Sequence, residues 1–369
     1  MDSASHKIKI LYDYPSVNMA YGGVARYICE IMKVLHGEIE IKKSIFVTDN
    51  IYIRQLPFIK VNRFPKKFKG KQRVENMLNS IYANYKVLQN NFDIFHATFS
   101  DAYTLMKVKK PVIVTIHDMI NESFPQFRKS HAKHIASKKK LIYESAHIIA
   151  VSENTKKDIL QIYPIDPDKI TVIHHGPPAI ASKPTKNEWG DYILYVGRRG
   201  RYKNFSFFAE SIVPILQKNP SFKLICAGPS FTQEEINFLN KLNILKQTNA
   251  IGATDEVLYS LYQNALVFVF PSIAEGFGIP ILEAFANKCP ICLSNTSCFP
   301  EIAGDAGIYF DPYNSKSIAE SIEKIICDKN LAAGLKEKGL QRLSDFSWEK
   351  AAEKTLEIYQ KVYTATVNS

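Results

Sequence analysis

No apolar run in these 369 residues reaches the ~20 residues needed to cross a bilayer, so the sequence is not that of a membrane-spanning chain. Met1-Asp2-Ser3-Ala4-Ser5-His6 leads directly into the apolar stretch at Ile8 without a signal-peptide pattern, which points to the cytoplasm. Cysteine is sparse: the six, at 29, 226, 289, 292, 298 and 327, sit mostly in apolar or helical surroundings, as free thiols of a reducing compartment do. Cys289-Pro290-Ile291-Cys292 has the Cys-x-x-Cys form, but it lacks a second pair and lies in a run like a buried strand, which argues against a redox or metal role. No Ser-His-Asp set, zinc-ligand spacing or P-loop stands out. Asp166-Pro167-Asp168 has a metal-holding form but lies in a proline-bearing loop, so no metal site is expected.

Acidic residues are short in one half only. Residues 1–180 hold 27 Lys+Arg against 16 Asp+Glu, whereas residues 181–369 hold 20 of each, so the whole +11 belongs to the first half. Arg63-Phe64-Pro65-Lys66-Lys67-Phe68-Lys69-Gly70-Lys71-Gln72-Arg73 concentrates it with interleaved aromatics, and Lys138-Lys139-Lys140 adds a second cluster. Such a face attracts an acidic partner, whether phospholipid head groups, a lipid diphosphate or nucleic acid; a solvated face on a basic protein is the plainer alternative. No nucleic-acid recognition module appears, so no nucleic-acid partner is expected.

The length suits two domains. Residues 7–12, 39–47, 94–97, 112–116, 148–151 and 170–173 read as strands, and 23–35 as a helix with apolar Val24, Tyr27, Ile28, Ile31 and Leu35. This alternation implies a parallel sheet covered on both faces. A linker at about 176–187 carries Gly176, Pro177, Pro178 and Pro184. The pattern restarts with strands at 192–196 and 223–227, and Trp348, Ala352, Leu356, Tyr359 and Tyr363 recur at helical spacing near the end.

The most informative stretch is Pro271-Ser272-Ile273-Ala274-Glu275-Gly276-Phe277-Gly278-Ile279-Pro280-Ile281-Leu282-Glu283-Ala284. It reads as the end of a buried strand, a glycine turn and a helix N-terminus, which favours an anionic ligand. Glu275 sits at the mouth and Glu283 about two turns into the helix region. Carboxylates repel phosphate, so the pair suits hydroxyls, and a ligand with central phosphate and hydroxyls at both ends is a nucleotide sugar. In open parallel sheets ligands bind beyond the carboxyl ends of strands, and Gly22, His117, Arg198 and Glu275 all follow strands.

Here the chain resembles the retaining glycosyltransferases of family 4. The carriers are the two glutamates eight apart with Gly-Phe-Gly after the first, Gly22-Gly23-Val24-Ala25-Arg26-Tyr27, Thr115-Ile116-His117-Asp118, Val151-Ser152-Glu153-Asn154-Thr155, His174-His175-Gly176, Tyr195-Val196-Gly197-Arg198 with Lys203-Asn204, and Phe299-Pro300-Glu301-Ile302-Ala303-Gly304-Asp305-Ala306. The resemblance covers nearly the whole chain. It implies an α/β protein of GT-B fold: two Rossmann-like domains, 1–176 and 177–347, facing a central cleft, with a helix at 348–369 crossing back to the first.

By the same resemblance Arg198 and Lys203 neutralise the leaving diphosphate, which removes the need for a metal or other cofactor. Glu275 and His117 contact the donor sugar, and Glu283 the ribose hydroxyls. Gly22 and Gly23 close over the phosphates, and the backbone of Gly276, Phe277, Gly278 and Ile279 meets the diphosphate or sugar. Arg199 and Arg201 are extra to the pattern, either assisting the phosphates or solvated. The expected donor is a GDP-sugar ahead of a UDP-sugar, with mannose or a related hexose moving to a lipid-linked glycan of a bacterial surface polysaccharide. The expected place is the cytoplasm, with the inner membrane face as a docking surface for the basic half. A nucleotide-sugar epimerase of the same fold and a non-catalytic glycan-binding protein are the alternatives.

Overall fold

The computed structural model describes residues 7–66, 68–98, 108–127, 131–178, 186–252 and 254–368. Residues 1–6, Lys67 of the basic segment and Pro184 of the expected linker lie outside them. The chain divides into two units, Met1–Gly176 with Ser347–Ser369, and Pro177–Phe346.

The first unit is built on six parallel strands: β1 (Lys9–Tyr12), β2 (Glu40–Lys43), β3 (Ile94–Ala97), β4 (Val112–Ile116), β5 (His147–Ala150) and β6 (Ile170–Val172). Their order is β2-β1-β3-β4-β5-β6. Side chains alternate between two core layers: Ile10, Ile94, Ile113 and Ile149 enter one, and Leu11, Phe95, Val114 and Ile148 the other. Covering both faces explains why the central runs are continuously apolar rather than alternating. The strand expected over 39–47 ends at Lys43, because its partner β1 ends opposite it at Tyr12. Beyond that point the backbone of Phe46 and Val47 turns to the Asn79 side chain.

The last helix, Trp348–Val367, packs its Ala351, Ala352, Ile358, Tyr359 and Val362 into the first of these layers. A buried polar chain fixes its register. The Tyr359 hydroxyl donates to that of Tyr12 at 3.0 Å. His96 meets Tyr359 at 2.5 Å through Nδ1 and Thr115 at 2.9 Å through Nε2. With the Tyr359 proton directed at Tyr12, His96 donates from Nδ1 and accepts from Thr115. Gly176 lies against the start of this helix, where a Cβ would come within 2.5 Å of the Trp348 backbone nitrogen, so only glycine fits.

The second unit carries β7 (Tyr192–Val196), β8 (Lys223–Ala227), β9 (Thr248–Ile251), β10 (Val267–Phe270), β11 (Ile291–Ser294) and β12 (Ile308–Phe310). They are parallel, in the order β12-β11-β10-β7-β8-β9. Counted from its own first strand this is the dinucleotide-fold order, and the direction of winding reverses between β7 and β10. Ile193, Tyr195, Leu224, Cys226, Val267 and Val269 share a core layer with Phe205 and Phe208. Cys289 and Cys292 are free and buried. Burial pushes the Cys289 thiol up to about 12, far from thiolate chemistry.

All nine histidines precede Pro177. Burial pushes His96 down to about 3 and His117 to about 4, and holds His175 well below its ordinary value. These rings fold neutral, whereas the unfolded chain binds protons below about pH 6.5. Their contribution is therefore fully present above pH 6.5 and is lost progressively as pH falls towards the folded values. For His96 alone the loss between pH 6.5 and 5 is on the order of 2 kcal/mol. Trp189 and Trp348 are the two tryptophans, one in each unit. In a Trp189→Phe variant, Trp348 emission should report unfolding of the first unit at clearly lower denaturant at pH 5 than at pH 7.5. Coincident curves would contradict the assignment of neutral, buried histidines.

Candidate active site

The loops after β7 and β10 leave the sheet where its winding reverses. The Lys203 ammonium and the Glu275 carboxylate pair there at 2.6 Å. Lys203 closes a one-turn 3-10 helix, Arg201–Lys203, and Glu275 lies five residues past β10. The two loops are tied through their backbones, since Ile273 N–H donates to the Tyr202 carbonyl at 2.7 Å. The loop after β11 supports Glu275 from below. Ser297 accepts from its N–H at 3.2 Å and donates to its carbonyl at 2.7 Å, while Thr296 donates to the Ile273 carbonyl at 2.9 Å.

Arg198 follows β7 with an exposed side chain and no ion pair among the described residues, and its carbonyl is held by the Tyr195 hydroxyl at 2.7 Å. Its neighbour Arg199 is different from either expectation. It is buried, gripped by Glu235 at 3.0 and 3.1 Å and by the carbonyls of Pro229 and Ser230, and it stacks 4.6 Å over Phe231. It ties the β7 loop to the β8 loop and is neither solvated nor free for a phosphate. Arg201 is exposed, in the left-handed region at φ 53°.

Gly278 precedes the helix Ile279–Ala286 at φ 85°, and no side chain caps its first turn. The Ile279 N–H and the dipole of that turn remain available to an anion. Gly276 is buried and Phe277 packs edge-on against Phe346, so any ligand contact there falls to the backbone. Glu283 lies one turn into the helix rather than two, because the helix begins only at Ile279. Its carboxylate accepts from the buried Tyr262 hydroxyl at 3.2 Å, which orients it.

In the first unit Gly22, at φ 146°, is the N-cap of helix Gly23–Leu35, which also has no side-chain cap. His117 follows β4 and donates from Nε2 to the Thr98 carbonyl at 3.1 Å, since a carbonyl only accepts. With the ring neutral, Nδ1 is left as an acceptor. Beside it, at the β1/β3 reversal, Asp13 accepts from the Thr98 N–H at 2.9 Å and from the Thr98 hydroxyl. Lys138, expected in a surface cluster, is buried: it donates to Glu122 at 3.0 Å and to the Asp118 carbonyl at 2.8 Å, bracing the turn that follows His117. Asp166 spends a carboxylate oxygen on the Asp168 N–H at 2.9 Å, as the cap of a short turn.

Two family models cover residues 21–342 between them. "Glycosyltransferase Family 4" matches residues 21–177, and "Glycosyl transferases group 1" matches 178–342. The chain belongs to the family 4 glycosyltransferases. It is 24% identical to O-antigen chain mannosyltransferase B of Escherichia coli, over 96% of this chain and 100% of that protein. It is 26% identical to the O-antigen chain mannosyltransferase RfbU of Salmonella typhimurium, over 58% of this chain and 60% of that one. Among solved structures, the HepE protein of Anabaena, in complex with UDP and glucose, superposes with a TM-score of 0.74 at 16% identity, covering 96% of this chain and 100% of its own. WaaG, a glycosyltransferase of lipopolysaccharide biosynthesis, gives 0.69 at 14% identity, covering 95% of this chain and 99% of its own. The fold is GT-B.

Asp13, Thr98 and Ser297 of this glycosyltransferase were not singled out from the sequence. All three lie just beyond strand carboxyl ends, and that position was the signal available for them. A Cβ at Gly278 would meet the Ile281 side chain at 3.0 Å and Phe299 at 3.4 Å, on a backbone that L-residues disfavour. Gly278→Ala should therefore destabilise the Pro177–Phe346 unit by about 1–2 kcal/mol, seen as a lower chemical-denaturation midpoint. An unchanged midpoint would show that the turn relaxes freely.

Proposed function

We propose that this glycosyltransferase moves mannose, or a related hexose, from a nucleotide diphosphate sugar to a hydroxyl of a growing lipid-linked glycan in surface polysaccharide synthesis. The donor is a GDP-sugar ahead of a UDP-sugar, transfer retains the anomeric configuration, and no metal takes part. The names of the mannosyltransferase relatives support the sugar and the pathway class. The observation that carries the reaction is the Lys203–Glu275 pair where strand winding reverses.

A cation and a carboxylate in contact suit a ligand that presents phosphate and hydroxyls side by side. The donor diphosphate draws Lys203 away from Glu275, and Arg198 adds a second cation. Glu275, released, accepts hydrogen bonds from sugar hydroxyls. Glu283, oriented by Tyr262, accepts from the ribose. His117 offers its neutral Nδ1 to a further sugar hydroxyl. The bond between the anomeric carbon and the phosphate oxygen breaks with its electron pair going to the diphosphate. The acceptor oxygen bonds to that carbon on the same face, and its proton passes to a donor phosphate oxygen. Fixed cations aimed at the developing phosphate charge lower the barrier without the reorganisation that water would need.

Calorimetry and thermal shift with GDP, UDP, ADP and their sugar conjugates identify the donor, since a bound ligand stabilises by RT ln(1 + [L]/Kd). Selective stabilisation by GDP and GDP-mannose, unchanged by chelator, is expected. Lys203→Ala should lower kcat by about 10²–10³ while leaving the fold intact. Equal response to all three nucleotides, or transfer that stops with chelator, would overturn the donor and metal assignments.

A further inference from the structure

The helix Lys71–Gln89 carries apolar residues on its outer face as well as on its inner one. Its inward residues are Glu75, Asn79, Ala83 and Val87. Asn79 holds it in place through polar contacts, accepting from the N–H groups of Phe46 and Val47 at 2.9 Å and donating to the Val47 carbonyl at 2.8 Å. On the opposite face Met77, Ile81, Tyr85 and Leu88 are 55%, 62%, 54% and 68% exposed. At about 100° per residue these four fall within one ~80° arc, a ridge about 16 Å long. Surface helices normally present a polar outer face, and a contiguous exposed apolar ridge marks an interaction surface.

The charge around the ridge selects its partner. Between residues 60 and 92 the sequence holds eight Lys+Arg and a single acid, Glu75. Glu75 is buried beside Lys71, and Asp49, from the preceding loop, pairs with Lys71 and with Arg63, so the surface charge left to a partner is that of Lys66, Lys69, Arg73 and Lys86. Lys66, Lys69 and Arg73 are exposed at the start of the helix with Phe68 among them, and Lys86 lies 5.5 Å over the Tyr82 ring near its end. A second copy of the chain would bring the same positive field against itself. An anionic lipid surface supplies both an apolar interior for the ridge and opposite charge for its surroundings.

We propose that the outward face of helix Lys71–Gln89, with the basic loop ahead of it, is a docking surface for an anionic lipid bilayer. Met77, Ile81, Tyr85 and Leu88 enter the boundary between head groups and acyl chains, while Lys66, Lys69, Arg73 and Lys86 meet the head groups. The inference is independent of the transfer chemistry, since its readout is vesicle binding rather than activity.

Flotation with phosphatidylglycerol vesicles and with phosphatidylcholine vesicles tests it, alongside light scattering for oligomeric state. The parent chain should float with the anionic vesicles and only weakly with the zwitterionic ones. Ile81→Ser and Leu88→Ser should each weaken binding at least about tenfold, since each removes a large apolar side chain from the insertion. Lys66→Gln with Lys69→Gln should weaken it by about tenfold or more and lower its salt sensitivity. All these positions are exposed, so circular dichroism melts should match the parent. No flotation of the parent, flotation unaffected by the serine variants, or a parent dimer that those variants dissociate would each overturn the proposal. Vesicle binding by a chain that fails to bind any nucleotide would leave it standing and remove the transferase reading alone.

Discussion

The reversal of winding between β7 and β10 is the constraint on which the rest of the Pro177–Phe346 unit depends. Where adjacent strands send their chains in opposite directions, no connection can cover the gap, so a crevice opens at their carboxyl ends. The Lys203–Glu275 contact spans that gap, and the supports around it keep its partners there: the Tyr202–Ile273 backbone bond, the Ser297 clasp on Glu275 and the Arg199 tie to the β8 loop. An opposite-charge pair that is partly open to water contributes little to stability. On the proposed function it is two binding groups that hold each other in position until a ligand separates them.

The first unit follows the same rule with different chemistry. At its own reversal, between β1 and β3, the groups that meet are Asp13 and Thr98, with His117 fixed from the Thr98 carbonyl. The cation beside this cluster, Lys138, is held by Glu122 and the Asp118 carbonyl, although the unit carries the whole excess of the chain. Much of that excess, eight Lys+Arg against one acid, falls between residues 60 and 92, ahead of and along helix Lys71–Gln89. Deep in the same unit the Tyr12–Tyr359–His96–Thr115 chain makes the last helix an integral part of the sheet's cover, so residues 347–369 belong with the first 176.

The fold was legible wherever one residue pattern had one solution. Continuous branched runs such as Val112–Ile116 and Tyr192–Val196 became strands with the expected ends, because burial on both faces leaves no other use for them. Alternation of such runs with helices pointed to parallel sheets. Polar residues were harder, because their role depends on partners remote in sequence. Arg199 and Lys138 looked like surface charge in the sequence, yet Glu235, 36 residues away, and Glu122, 16 residues away, draw them inside. The ridge on Lys71–Gln89 was also hidden. Periodicity reveals that a helix has an apolar face but not that a mixed face, anchored through Asn79, is the one turned inward.

The central claim is that Lys203 and Glu275 hold each other until a donor diphosphate parts them. Calorimetric affinities for the free nucleoside diphosphate and for its sugar conjugate, in the parent and in Glu275→Gln, test it most directly. Removing the carboxylate's charge frees Lys203 for phosphate but weakens acceptance of sugar hydroxyls. The account predicts that Glu275→Gln binds the free diphosphate more tightly than the parent does and gains less, or loses, with the sugar attached. Weaker binding of the free diphosphate by Glu275→Gln would contradict it, because Glu275 would then be supporting the phosphate site rather than restraining it.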